Sequence, residues 1–213
     1  MSSERELRRY APFDESWEKG WQTLNGEAFA QIHEIKDNPN WLAKSFKVRD
    51  VAGQIGSEHQ VKSLDEFIKE FQKVDEYSKK YFADFLPKYY FTFTGKSSED
   101  LSSLECYQFM QRVFPAEMSD AAIHKVVNDL NRIYEQAKQG YQDTKHTENG
   151  IELGEFIDIK PANIIYGTVS DNPEPKTYLI DIFPLREGPA PELDLIYLKT
   201  LRDIQTINKD ILK

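Results

Sequence analysis

The sequence predicts an α+β protein with two lobes: an antiparallel strand-rich first half that holds one helix, then a mainly helical second half. Three observations carry this. Aromatic and β-branched runs separated by turn signals dominate residues 21–48 and 87–113, apolar residues recur at helical spacing over 63–85 and again over 119–140, and no internal repeat is present. The expected division is an arm at 1–20, a first lobe at 21–115 and a second at 116–213.

Composition narrows the class. The chain has 213 residues, 39% of them hydrophobic and 13% aromatic, without a low-complexity tract, so it should bury a real core as one functional unit. Its formal charge of −9 repels phosphate backbones, and no local basic patch offsets it, so a nucleic-acid partner is not expected. No stretch approaches 18 consecutive apolar residues, and the N-terminus has no apolar signal core, so neither a membrane span nor a cleaved signal is expected. The single cysteine, Cys106, excludes an internal disulfide, and with four histidines it gives no zinc spacing. Cytoplasmic surroundings fit, either in the producing cell or in a host cell entered without a cleaved signal peptide.

The elements follow in order. Residues 1–20 are charged and aperiodic. Two strands at 21–36 break at Asn25-Gly26, and Asp37-Asn38-Pro39-Asn40 then makes a strong turn into a third strand at 41–48. Ser63 and Glu66 form a capping box for a helix of about six turns, whose stripe includes Phe67, Ile68, Phe71, Tyr81 and Phe82. Runs at 87–93 and 104–113 read as two more strands, which makes the first lobe an antiparallel five-stranded sheet with one helix. Ser119-Asp120 opens a second long helix that should end near Gly140. A polar loop at 141–154 follows, then short β runs at 156–159, 163–166 and 177–182. The last two flank a turn-rich insert at 167–176, and a closing helix is expected at 193–212.

The segment that bears chemistry is Phe156-Ile-Asp-Ile-Lys-Pro-Ala-Asn-Ile-Ile-Tyr166, followed by Tyr178-Leu-Ile-Asp-Ile-Phe183. Read alone, it is a strand, a proline loop and another strand whose aspartates form turns. Its pattern Asp158-x-Lys160-Pro161-x-Asn163, with Asp181 beyond the next hairpin, resembles the catalytic loop and metal-binding aspartate of the protein-kinase superfamily. Upstream, Leu24 to Ile32 is similar to the phosphate-covering loop, and Trp41-Leu-Ala-Lys44 to the third-strand lysine motif. The motifs stand in the family's order, which lifts Lys44 above an ordinary strand lysine with its head in water.

The resemblance implies binding of ATP with Mg2+, or Mn2+ as the alternative metal, and phosphoryl transfer to Ser/Thr hydroxyls of a protein substrate. It makes Asp158 the acceptor of the hydroxyl proton, sets Lys160 beside the transferring group, and gives the metal to Asn163 and Asp181. Lys44 would hold the α- and β-phosphates, with Ile32 and Ala43 covering the adenine and Ile165 its floor. Met110 would be the gatekeeper, and backbone groups of Gln111 and Val113 would meet the adenine edge. An acid on the 63–85 helix should pair with Lys44; Glu70 is assigned, with Asp75 and Glu76 as alternatives.

Several positions depart from the family. Asn25, Glu27 and Ala30 replace the three loop glycines, which restricts close backbone approach and brings a negative charge toward the phosphates. Phe156-Ile157 replaces the His-Arg that precedes the catalytic aspartate, so control by activation-loop phosphorylation is not expected. The segment from Asp181 to Ala190-Pro191-Glu192 is short, and one helix follows it. In that the chain resembles minimal bacterial effector kinases of the OspG type, which implies a truncated C-lobe and a eukaryotic host protein as substrate. Two alternatives stand: a pseudokinase that serves as a binding module, and a small-molecule kinase of the aminoglycoside phosphotransferase type.

Overall fold

The computed structural model describes residues 5–7, 21–26, 31–47, 64–95, 105–144 and 163–180, with helical residues at 199 and 202. The elements are β1 (Arg5–Leu7), β2 (Trp21–Gly26), β3 (Gln31–Ile35), β4 (Trp41–Lys47), α1 (Leu64–Phe82) with a 3-10 turn at Ala83–Phe85, β5 (Tyr89–Gly95), β6 (Glu105–Gln111), β7 (Phe114–Pro115), α2 (Asp120–Thr144), β8 (Ile164–Val169) and β9 (Asn172–Leu179). The expected strand at 156–159 lies outside the described residues, as do the phosphate-loop positions 27–30 and the helix at 193–212 apart from 199 and 202. The chain forms two compact units, Met1–Gln72 with Pro87–Arg112 and Lys73–Leu86 with Val113–Lys213. No helix among the described residues is long and apolar enough to cross a membrane.

The first unit is an antiparallel sheet in the order β1-β5-β6-β4-β3-β2. The meander forms as the turn residues require: Asn38 N–H donates to the Ile35 carbonyl and Trp41 N–H to the Asn38 carbonyl, both at 3.0 Å, closing the Asp37–Asn40 turn. The expected five strands become six. Three residues of the supposed arm, Arg5 to Leu7, pair with β5 as Arg5↔Gly95 and Leu7↔Phe93. A three-residue polar edge strand is too short to show a period, and its ladder bonds come from the backbone.

Alternation sorts the sheet into two faces. Ile35, Ala43, Tyr107 and Phe109 cluster on one, with Trp41 against them and stacked on Tyr90 at 5.5 Å. The other face carries Ile32, Lys44, Gln108 and Phe91 in one row, since Lys44 pairs with Ile32 and Gln108, and Gln108 with Phe91. Phe71 of α1 meets Phe91 edge-on, ring centroids 4.5 Å apart, so the start of this helix covers the Lys44 face.

The second unit packs α2 against the end of α1 and a hairpin. Ser119 caps α2, its Oγ accepting the Ala122 N–H at 3.2 Å, as the sequence predicts. Val126, Leu130, Ile133 and Ala137 then line one helical face against Tyr77, Phe82, Phe85 and Leu179. The helix does not stop at Gly140 but runs to Thr144. Gly140 serves close packing, because a Cβ there would collide with the buried Tyr77 hydroxyl.

The insert at 167–176 is not irregular either. It is the heart of the β8–β9 hairpin, which turns at Ser170-Asp171, pairs Val169 with Asn172, shifts register between Val169 and Gly167, and then runs as Tyr166↔Thr177, Ile165↔Tyr178 and Ile164↔Leu179. Pro173 and Pro175 are tolerated because β9 is an edge strand of the β7-β8-β9 sheet. Thr177, fully buried, donates its hydroxyl to Asp129 Oδ2 at 2.7 Å and ties the hairpin to α2. The described part of this unit holds more helix than strand, α2 and the end of α1 beside the short strands β7, β8 and β9, as a mainly helical lobe requires.

Candidate functional site

Lys44 sits in the middle of β4, a central strand, so its backbone is held by ladder bonds on both sides through β3 and β6. Its side chain is only 8% exposed. A lysine so enclosed on the helix-covered face of a sheet differs from a strand lysine with its head in water, because burying an ammonium is costly without compensating groups. Ile32 and Met110 share this face, Met110 two positions along β6 from Gln108. Cys106 lies on the same row of alternate residues; burial pushes its thiol pKa well up, so it remains protonated and is not a nucleophile.

Ala43 does not join them. As the neighbour of Lys44 on a strand it points to the opposite face, fully buried among Ile35, Tyr107 and Phe109. The residue that shares the Lys44 face is Leu42, opposite Met110 and Glu34. On the Ala43 face His33 Nε2 lies 3.0 Å from Ser45 Oγ, and burial lowers the His33 pKa below its ordinary 6.5.

The three acids considered as partners of Lys44 differ in surroundings. Glu76 is exposed, while Asp75 is buried and pairs with Lys79 at 2.7 Å one turn on. Glu70 lies in α1, and its side chain is outside the described residues. Gln111 is also more constrained than expected. Its N–H donates to the Lys88 carbonyl at 2.8 Å, its side-chain Oε1 accepts the Lys88 N–H at 3.3 Å, and Arg112 N–H donates to the Asn40 carbonyl at 2.8 Å. Gln111 therefore clamps the start of β5 to the end of β6, and its N–H is already committed.

In the second unit the geometry centres on the open end of the β8–β9 hairpin. Asn163 is 6% exposed, and its carbonyl accepts the Ile180 N–H at 2.9 Å. This bond extends the ladder by one step beyond Ile164↔Leu179 and sets Asn163 beside the residue that precedes Asp181. Asp158, Lys160 and Asp181 themselves are outside the described residues. Among the described residues no group of three His, Cys, Asp or Glu side chains gathers to hold a metal.

Val113 and Ile165, expected at the adenine, come together: Val113, Val169 and Tyr178 form a buried cluster with Ile165 and Ile180 packed on it. Close approach makes this possible at Gly167, where a Cβ would meet the Phe114 carbonyl.

Gln108, which belongs to no motif, is a further residue of interest on the Lys44 face. It is 1% exposed, lies directly opposite Lys44, and its Oε1 is buried without a hydrogen-bond partner. The signal was available: β6 reads Glu-Cys-Tyr-Gln-Phe-Met-Gln, a carboxamide at an inward position among sulfur and aromatic side chains. No known family model matches the chain, and no curated protein matches its sequence.

Proposed function

We propose that the chain is a protein-kinase-like phosphotransferase that binds ATP with Mg2+, or with Mn2+, and transfers the γ-phosphoryl group to a Ser/Thr hydroxyl of a protein, a eukaryotic host protein among the candidates. The observation that carries this reading is the Asn163–Ile180 main-chain bond, because it joins the last residue of the Asp158–Asn163 motif to the residue that precedes Asp181 in the sequence. Burial of Lys44 on the α1-covered face of a central strand supports it from the first unit.

The donor chemistry fits the metal. Mg2+ takes oxygen ligands and keeps several waters, so one carboxamide and one carboxylate are enough, and Asn163 and Asp181 offer these. When bound, the ion neutralises charge on the phosphate oxygens. On this reading Lys44 holds the α- and β-phosphates, and Leu42 takes the covering role first given to Ala43, with Ile32 and Met110 on the same face. Asp158 accepts the proton of the attacking hydroxyl as its oxygen bonds to the γ-phosphorus, ADP leaves, and Lys160 stabilises the transferring group. Glu70 remains the assigned acid of α1.

Incubation of the purified protein with γ-labelled ATP, either metal and a cell lysate tests the assignment. Label on Ser or Thr of a protein is the expected result. Label confined to small molecules would assign the aminoglycoside-phosphotransferase class instead, and ATP binding without any transfer would assign a pseudokinase module.

A further inference from the structure

Gln108 occupies a position where a carboxamide is costly unless it has work to do. Its Oε1 is buried and unpartnered, and a buried acceptor left so loses its hydration without compensation. Its two cross-strand neighbours are Phe91, which has no side-chain donor, and Lys44, which has three. Directly opposed residues in an antiparallel pair have Cβ atoms roughly 5 Å apart, within reach of a carboxamide and a long ammonium stem. All lie on the face that Phe71 of α1 covers, so water does not readily substitute.

We propose that Gln108 is a positioning residue for Lys44: in the nucleotide-bound protein its Oε1 accepts one N–H of the Lys44 ammonium and leaves the others for phosphate. The inference rests on the nucleotide reading above. It explains an acceptor placed between Lys44 and Phe91, and it gives Lys44 a partner on the sheet itself, besides any acid on α1.

Calorimetric titration with Mg-ATP tests this on the full chain, using Gln108→Met, of nearly equal shape without the acceptor, and Gln108→Glu, which keeps an oxygen. Gln108→Met should weaken ATP binding about tenfold, the factor for a lost hydrogen bond to a charged group. Its melting temperature without nucleotide should be unchanged or higher, since a buried unpartnered oxygen is gone. Gln108→Glu should bind within about threefold of wild type, and in a Lys44→Met background Gln108→Met should add nothing, as coupled residues require. Unchanged affinity for Gln108→Met, equal weakening by Met and Glu, or additive losses with Lys44→Met would each overturn the proposal. Wild type that binds no ATP would instead remove the nucleotide reading, and this inference with it.

Discussion

The carbonyl oxygen of Asn163 accepts the backbone N–H of Ile180 at 2.9 Å, so the end of the DxKPxN motif and the residue before Asp181 are fixed to each other by main-chain geometry alone. A side-chain replacement at 163 leaves that bond possible. Asn163→Ala should therefore keep the hairpin, with an unchanged circular dichroism spectrum, while the Mg2+-dependent stabilisation by ATP is lost. If the variant kept the full metal-dependent shift, Asn163 would have no part in metal binding.

Gly167 gives a prediction about the scaffold beneath Val113 and Ile165. A Cβ at 167 would meet the Phe114 carbonyl and the Val113 side chain, and backbone cannot yield as a flexible side chain can. Gly167→Ala should cost about 1–3 kcal/mol in a urea melt, the usual range for overpacking. A variant as stable as wild type would show that β7 and β8 are not held that close.

Stability should respond to pH through His33. Its folded pKa lies below the unfolded value near 6.5 because burial disfavours the charged ring. Above that value both states are neutral there, and the group contributes nothing. As pH falls below 6.5 the unfolded chain binds the proton first, so the native state loses relative stability until the folded pKa is passed. Comparing urea melts of wild type and His33→Gln at pH 7.5 and 5.5 isolates this contribution. Wild type should lose more stability than the variant over that interval; parallel losses would contradict the assignment.

The sequence made the meander, α1, α2 and the two hairpin strands legible because each rests on local signals: the Asp37–Asn40 turn, the stripe through Ile68 and Phe71, and the Ser119 cap. It misread features that depend on tertiary contact. Gly140 looks like a helix stop but is a packing contact with Tyr77, and residues 5–7 become a strand only because β5 offers an edge. Among site residues, Lys44, Ile32 and Met110 do share a face, as do Val113 and Ile165 a cluster. Ala43 does not, because pattern matching placed it one residue from Lys44 while strand alternation sends neighbours to opposite faces. Gln108 was missed because it belongs to no motif; its interest arises from what lies across the strand.

The most direct test of phosphoryl transfer separates binding from chemistry in a single set of melting curves and label-transfer assays with wild type, Lys44→Ala, Asp181→Ala and Asp158→Ala. Mg-ATP at about 100 times its dissociation constant should stabilise wild type by about 2.7 kcal/mol, or roughly 5–10 °C for a chain of this size. Lys44→Ala and Asp181→Ala should lose most of that shift at the same ATP concentration. Asp158→Ala should keep it while transfer falls by roughly 10²–10⁴-fold. Absence of any shift for wild type at millimolar ATP with either metal would contradict the account.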